Sequence, residues 1–253
     1  MSDVARLRQP RSDRARQVSD VLRRQIHGGA YESALPGEQD LAHEFGASRN
    51  TIRAALSLLK DEGLIDRAPK VGTHVVGRKY EHGLDALLGL KETLRGYGEV
   101  RNEVRAASVI TAPPAVARRL QLDPGSPVVY VERLRYLGDL PLSLDQTYLE
   151  PEIGTELLER DLECNDVFAL IEEICDRPLG GADLGLEAVT ADAHSAALLQ
   201  TSEHAALLLL ERLTALDDGR PVDLEYIRMR GDRITMRGSL ARRPEPTGWE
   251  ITT

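Results

Sequence analysis

The 253-residue chain is 42% hydrophobic and 29% charged, ordinary values for a folded soluble protein with material for one large or two modest domains. No apolar run approaches the roughly 18 residues of a membrane span. The arginine-rich start has no apolar h-region, and Cys164 and Cys175 are too few for a disulfide framework or a zinc cluster. A cytoplasmic protein with reduced thiols and no membrane contact is expected. The net charge of -9 hides an asymmetry. Residues 1–80 carry 14 Lys and Arg against 10 Asp and Glu, whereas residues 81–253 carry 18 against 31. A basic N-terminal part on an acidic body suits a protein that meets a polyanion at one end only.

Residues 1–13 are polar and read as a flexible arm. From about Ala15, Val18, Val21, Leu22 and Ile26 recur at helical spacing until Gly28-Gly29 stops the helix. Leu35-Pro36-Gly37 is a turn, and a short helix runs from Glu38 to about Phe45. After the tight connection Gly46-Ala47, Ser48 can cap a third helix that ends near Gly63, with Ile52, Leu56 and Leu59 as its apolar stripe. Strand-like runs at 64–67 and 73–76, joined through Pro69-Lys70-Val71-Gly72, make a hairpin of wing size. Residues 77–83 read as a linker and 84–96 as a helix with a partial leucine face. Beyond 104 the pattern is mixed. Strands are expected over 128–137, 207–215, 221–230 and 234–240, and helices over 167–174 and 193–199.

Helix, short helix, tight turn, capped helix and hairpin is the order of a winged helix-turn-helix. Arg49 and Arg53 lie four apart, on a face away from the apolar stripe, with Asn50 and Thr51 beside them at the helix start. A recognition helix touches base edges with such N-terminal residues. An arginine fork matches both acceptors of guanine, each good pair being worth about 1–3 kcal/mol of discrimination. A solvated face with two arginines would be the reading of this helix alone; the cap and the wing beside it favour DNA.

Residues 18–76 resemble the DNA-binding domain of the GntR family. The resemblance rests on Leu35-Pro36-Gly37-Glu38, Leu41-Ala42, the run from Phe45 to Arg53, Ala55-Leu56, Leu59, Glu62-Gly63-Leu64-Ile65 and Gly72-Thr73, spaced without a gap. It implies a homodimer on a near-palindromic operator in double-stranded DNA. The DNA-binding set it implies is Gln39, Ser48, Arg49, Asn50, Thr51, Arg53, Lys70, Gly72 and Thr73, with the wing tip near Gly72 in the minor groove. The family usually has Ser where Gly37 stands, often Arg where Gln39 stands, and often glycine where Lys70 stands. Gln39 removes a phosphate contact that Lys70 can restore.

Residues from about 104 to 242 resemble the UTRA effector domain of the HutC subfamily. The carrying pieces are Ala112-Pro113-Pro114, Gly125-Ser126-Pro127-Val128, the run from Glu132 to Tyr136, Leu140-Pro141-Leu142, Tyr148-Leu149, the run from Gly219 to Asp223, and Arg230-Gly231-Asp232-Arg233. Arg133 and Arg135 alternate on a strand, so both guanidiniums face one way and repel unless an anion or carboxylates lie between them. Asp145, Asp223 and Glu225 are the nearest acidic candidates; a surface ladder of salt bridges is the other reading. In the family, positions matching Arg133, Arg135, Asp145 and Asp223 line the effector site. Asp166-Val167-Phe168 stands where the family often has Ser-Leu-Tyr, a serine that helps bind phosphate, and Met229 where it often has Tyr. Asp166 favours capping but repels a phosphate. An effector that is not a phosphate ester is expected, a carboxylate-bearing or zwitterionic metabolite.

The expected architecture is α+β. A flexible arm (1–13) leads into a winged helix-turn-helix (14–76). A linker with a connecting helix (77–103) joins this to an antiparallel-sheet UTRA domain of chorismate-lyase-like type (104–243), followed by a tail (244–253). The expected function is a sequence-specific transcription regulator, a repressor, modulated by a small effector, with the linker and its helix as the moving element. Two alternatives stay open: a ligand-independent plasmid or transfer control protein, and a lyase-like enzyme. Against the enzyme, no nucleophile–base pair, P-loop, G-x-S-x-G or G-x-G-x-x-G is present. The six histidines are scattered, so neither metal nor cofactor is expected, and Gly180-Gly181 reads as a turn.

Overall fold

The structure, a computed structural model, describes residues 11–31, 33–68, 72–77 and 79–241. The chain divides into two compact units. One holds the described residues up to Tyr80 together with 188–208 and 229–234; the other holds 81–187, 209–228 and the described residues from 235 onward.

The first unit begins with α1 (Arg11–His27), α2 (Glu38–Glu44) and α3 (Arg49–Asp61), followed by the hairpin β1 (Ile65–Ala68) and β2 (Gly72–Val75). Helix α1 buries Ala15, Val18, Leu22 and Ile26, the stripe that 3.6-residue periodicity dictates. Helix α3 buries Ile52, Ala55, Leu56 and Leu59. Apart from Ala15, these side chains meet Leu35, Leu41, Leu64 and Ile65 in one core. Each large aliphatic buried there stabilises the fold by about 1.5–3 kcal/mol. The Ser48 side chain accepts the Thr51 N–H at 3.2 Å and so starts α3. Arg23 clasps Glu62, the residue that closes α3, with bonds of 2.8 and 2.5 Å. The β1–β2 register pairs Ile65 with Val75 and Ala68 with Gly72.

The rest of the chain runs β3 (Tyr80–Gly83), α4 (Leu90–Leu94), β4 (Val100–Thr111), α5 (Pro114–Arg119), β5 (Pro127–Leu137), β6 (Leu140–Leu149), α6 (Pro151–Leu157), α7 (Val167–Cys175), β7 (Leu179–Thr190), α8 (Ala193–Leu198), β8 (Ala206–Leu216), β9 (Pro221–Arg230) and β10 (Ile234–Arg237). Six strands form one sheet in the order β4-β5-β6-β9-β8-β7, and β3 pairs with β10. Strand alternation divides the side chains between two faces. Val128 and Leu224 pack with Val116, Ala117 and Leu120 of the α5 region. Val129 and Val131 pack with Ile153, Leu157, Val167 and Ile171 of α6 and α7.

Several expectations needed correction. Helix α1 starts at Arg11, so the last residues assigned to the arm are helical, while 1–10 and the expected tail lie outside the described residues. Within the linker expected at 77–83, residues 80–83 form β3: only His82 is buried there, so the polar run shows no apolar alternation. The helix expected over 84–96 contracts to the single turn of α4. Gly89, in extended conformation, precedes it, and the Glu92 carboxylate accepts the Gly89 N–H at 2.9 Å, which fixes the start. Gly180-Gly181 is strand, not turn. A Cβ at Gly180 would lie 2.6 Å from the Leu216 carbonyl, so glycine lets β7 approach its neighbour. Helices α5 and α6 escaped notice because each is short and opens on a proline.

Candidate functional site

The exposed face of α3 carries Arg49, Asn50 and Arg53, with Ser48 at its cap and Thr51 half-buried behind it. Both arginines are held by side chains of α2. Arg49 Nη2 donates to Gln39 Oε1 at 2.7 Å. Arg53 Nε donates to Glu38 Oε2 at 2.7 Å, while Arg67 of β1 pairs with the other Glu38 oxygen. The Arg53 hydrogen bond holds the Glu38 carboxyl below its usual range against the opposing effect of burial, with the Arg53 and Arg67 charges adding to it. Gly72 and Thr73 open β2 at the wing, with Gly72 at φ 108°, a conformation that glycine adopts freely. Lys70 lies outside the described residues.

The second constellation lies on the sheet face that α6 and α7 cover. Arg133 and Arg135 are buried, at 0% and 1% exposure, which rules out a surface ladder. Register places Arg133 opposite Asp145 and Arg135 opposite Ser143. Asp145 is nevertheless taken by Arg135, and its second oxygen accepts the Ser143 hydroxyl at 2.7 Å. Glu225 is taken by Arg212, through bonds of 2.8 and 2.5 Å to one oxygen. The Arg212 guanidinium also stacks 4.4 Å from the centre of the Phe168 ring. All three Arg133 nitrogens, both Asp223 oxygens, the Thr147 and Thr214 hydroxyls and Asp166 Oδ2 are buried with no hydrogen-bond partner. Asp166 stands at the N-cap position of α7 without a side-chain capping bond, its Oδ2 3.9 Å from Arg135 Nη1.

The charges respond to this interior. Burial, then the neighbouring Arg135, pushes the Arg133 guanidinium down to about 10. Burial works against Arg135 as well, but Asp145, Asp166 and Glu225 together hold it above its ordinary value. Burial, then Glu225, pushes the Asp223 carboxyl well above its ordinary range. Burial alone would raise Asp166 too; Arg135, Arg133 and Arg212 hold it low. His82 is pushed down to about 4 by burial, then by Arg212 and Arg135.

A strap over residues 84–95 lies against the cluster. Arg212 Nη1 donates to the Leu88 carbonyl at 3.3 Å, and Lys91 donates to the Cys164 carbonyl. Leu90 and Leu94 are buried. Gly89 touches the Asp166 carboxylate so closely that a Cβ there would overlap it. Thr93 donates its hydroxyl to the Gly89 carbonyl at 3.0 Å and bonds His82 Nδ1 at 2.9 Å. With its only hydrogen committed, Thr93 requires the proton on His82 Nδ1. Beside the strap opens a cavity of about 760 Å³, lined among others by Lys91, Arg95, Arg101, Asp166 and Phe168. Its size is that of a small-molecule site.

Comparison with known proteins joins the two constellations. Residues 14–75 match the bacterial regulatory proteins of the gntR family, and residues 96–235 match the UTRA domain. The chain belongs to the gntR family of UTRA-domain regulators. It is a DNA-binding transcription regulator with an effector-binding domain. The HTH-type transcriptional repressor NagR of Bacillus subtilis is 29% identical over 222 residues, 87% of this chain and 91% of its own. A histidine utilization repressor of Klebsiella aerogenes is 29% identical over 215 residues, 81% of this chain and 87% of its own. The crystal structure of PhnF from Mycobacterium smegmatis covers 89% of this chain and 100% of its own, with a TM-score of 0.66 at 24% identity, a likeness of fold.

As a gntR-family effector domain, the cluster gathers all six residues singled out in the sequence: Arg133, Arg135, Asp145, Asp166, Asp223 and Glu225. Arg212, Ser143, Thr147 and Thr214 went unnamed, and Phe168 was named only within the run Asp166-Val167-Phe168, without a role. Arg212 had a signal, a charge beside Glu211 in an otherwise apolar run. Phe168 had only its place in that run, because an aromatic at a helix start reads as core. On the exposed face of α3, Glu38 was seen as part of a motif but not as the clamp on Arg53, and Arg67 was missed.

Proposed function

We propose that this regulator is a homodimeric repressor that reads a near-palindromic operator with Arg49 and Arg53 and is released when an effector enters the buried charge cluster. Repression follows NagR and the histidine utilization repressor, both named for it. Asn50, Thr51 and the Ser48 cap support the helix start on the groove. Gln39 serves here as the holder of Arg49 rather than as a phosphate contact, and Lys70, Gly72 and Thr73 of the wing supply that contact. The reader spans 14–76, the connection 77–103 and the sensor 104–243. The site is a cytoplasmic binding site and not a catalytic one: its two strongest carboxylate acceptors are already engaged by guanidiniums.

The observation that carries the sensor reading is the set of fully buried Arg133 and Asp223 polar atoms without partners, in a cluster whose Asp166 and Phe168 also line a cavity of ligand size. Native interiors rarely leave such groups unpaired. The effector must bind one arrangement of the strap better than the other, and a coupling of about 1–3 kcal/mol changes operator affinity 5- to 150-fold. Selection from random duplex DNA tests the reader. The expected winner is a near-palindrome bound by two chains, with Arg53→Ala weakening both halves alike. Binding that is only salt-dependent and indifferent to sequence would contradict the proposal.

A further inference from the structure

We infer, resting on the sensor reading above, that the effector is a small zwitterion whose carboxylate pairs with Arg133 and whose amino or other cationic group pairs with Asp223. Three guanidiniums, Arg133, Arg135 and Arg212, share the buried layer with four carboxylates, Asp145, Asp166, Asp223 and Glu225. Two pairs are formed, with Arg135 Nη1 left free of any hydrogen bond. Arg135 is engaged by Asp145, and Arg212 by Glu225. What remains is one guanidinium with no bond on any of its three nitrogens and two carboxyl groups: Asp166, whose Oδ2 lies 3.9 Å from Arg135 Nη1, and Asp223, with no bond on either oxygen. Arg133 and Asp223 are not each other's partner, although each lies within electrostatic reach of the other. A buried charge without a partner is strongly disfavoured. The two vacant groups therefore define a bipolar receptor, with the Thr147 and Thr214 hydroxyls as further polar contacts.

Other ligand classes satisfy only part of this set. A simple carboxylate would pair Arg133 and leave Asp223 unmet. A simple amine would do the reverse. A phosphate would add charge to a layer in which carboxylates already outnumber guanidiniums, and Asp166 stands at the N-terminus of α7, where backbone amides would otherwise receive it. The Asp166 carboxylate is itself pressed against Gly89 and within 3.9 Å of Arg135, so the anion position at this helix is filled by the protein's own side chain.

Thermal shift and calorimetry on the full chain test this, using as probes the twenty amino acids, β-alanine, γ-aminobutyrate and betaine, with glucose 6-phosphate and inorganic phosphate as the competing class. For any zwitterion that binds, its deaminated acid and its decarboxylated amine are titrated in turn. Each truncated compound is expected to bind at least tenfold more weakly. In Asp223→Asn the penalty for removing the amino group should disappear, and in Arg133→Met that for removing the carboxylate, with Arg133→Lys as the charge-keeping second variant if the methionine protein melts early. Equal binding of acid and zwitterion, failure of every zwitterion, or tight phosphate binding lost in Arg133→Met overturns the inference. A phosphate that binds and still lowers operator affinity would overturn the ligand class alone and leave the sensor reading intact. An operator affinity that no bound compound moves would remove the sensor reading as well.

Discussion

At the scale of single residues, Asp223 makes a pH-dependent claim. Its carboxyl is raised by burial and Glu225, so in the folded chain it stays protonated above the unfolded value of about 3.9. A raised carboxyl contributes nothing unfavourable at pH below about 3.9 and costs stability as pH rises through the folded value. Asp223→Asn keeps the shape without that cost. The Tm difference between variant and wild type should therefore be near zero in acid and grow in the variant's favour as pH rises, as read by calorimetry across pH. His82 works in the opposite sense. Held neutral down to about 4, it leaves the unfolded chain to take up the proton first, so stability falls as pH drops from about 6.5 toward 4. A His82→Gln protein should lose much of that slope. On the reader, Glu38→Gln should weaken operator binding about 3- to 30-fold in a fluorescence titration without changing the fold, because Arg53 and Arg67 lose a shared charged partner.

At the scale of elements, the helices of the reader were legible because each buries a periodic stripe and ends at a recognisable residue: Ser48 begins α3 and Gly63 follows it. The same logic sets two costs. Leu56→Ala should destabilise by about 2–5 kcal/mol through the cavity it leaves, and Ser48→Ala by about 0.5–2 kcal/mol through the lost cap; chemical denaturation measures both. Strands β5 and β9 were legible by alternation. Strands β3 and β7 were not. The first is too polar to show a buried face, and the second is a sheet edge whose residues are mostly exposed, so neither pattern separates strand from loop. The site was half legible for a related reason. Arg133 and Arg135 announce a shared face by spacing alone, whereas the partnering of Arg135 with Asp145 rather than Arg133 depends on side-chain packing that register does not determine.

For the whole molecule, the two ends of the sequence differ in charge sign, and the account assigns each end a partner accordingly. The basic reader should show operator binding that weakens steeply with salt, in proportion to the phosphates it contacts. On the proposed function, the acidic part senses and the strap over residues 84–95 couples occupancy of the cluster to the reader. Gly89 isolates that step, since a methyl group there overlaps the Asp166 carboxylate, so that either the strap or that carboxylate must shift, without removing any charged group. The direct test is operator affinity of Gly89→Ala against wild type with no ligand added, with hydrogen exchange over 84–95 confirming the displacement. Operator binding weakened about 5- to 150-fold, as if the effector were bound, is the expected result. Full wild-type affinity in a protein whose strap is demonstrably displaced would contradict it.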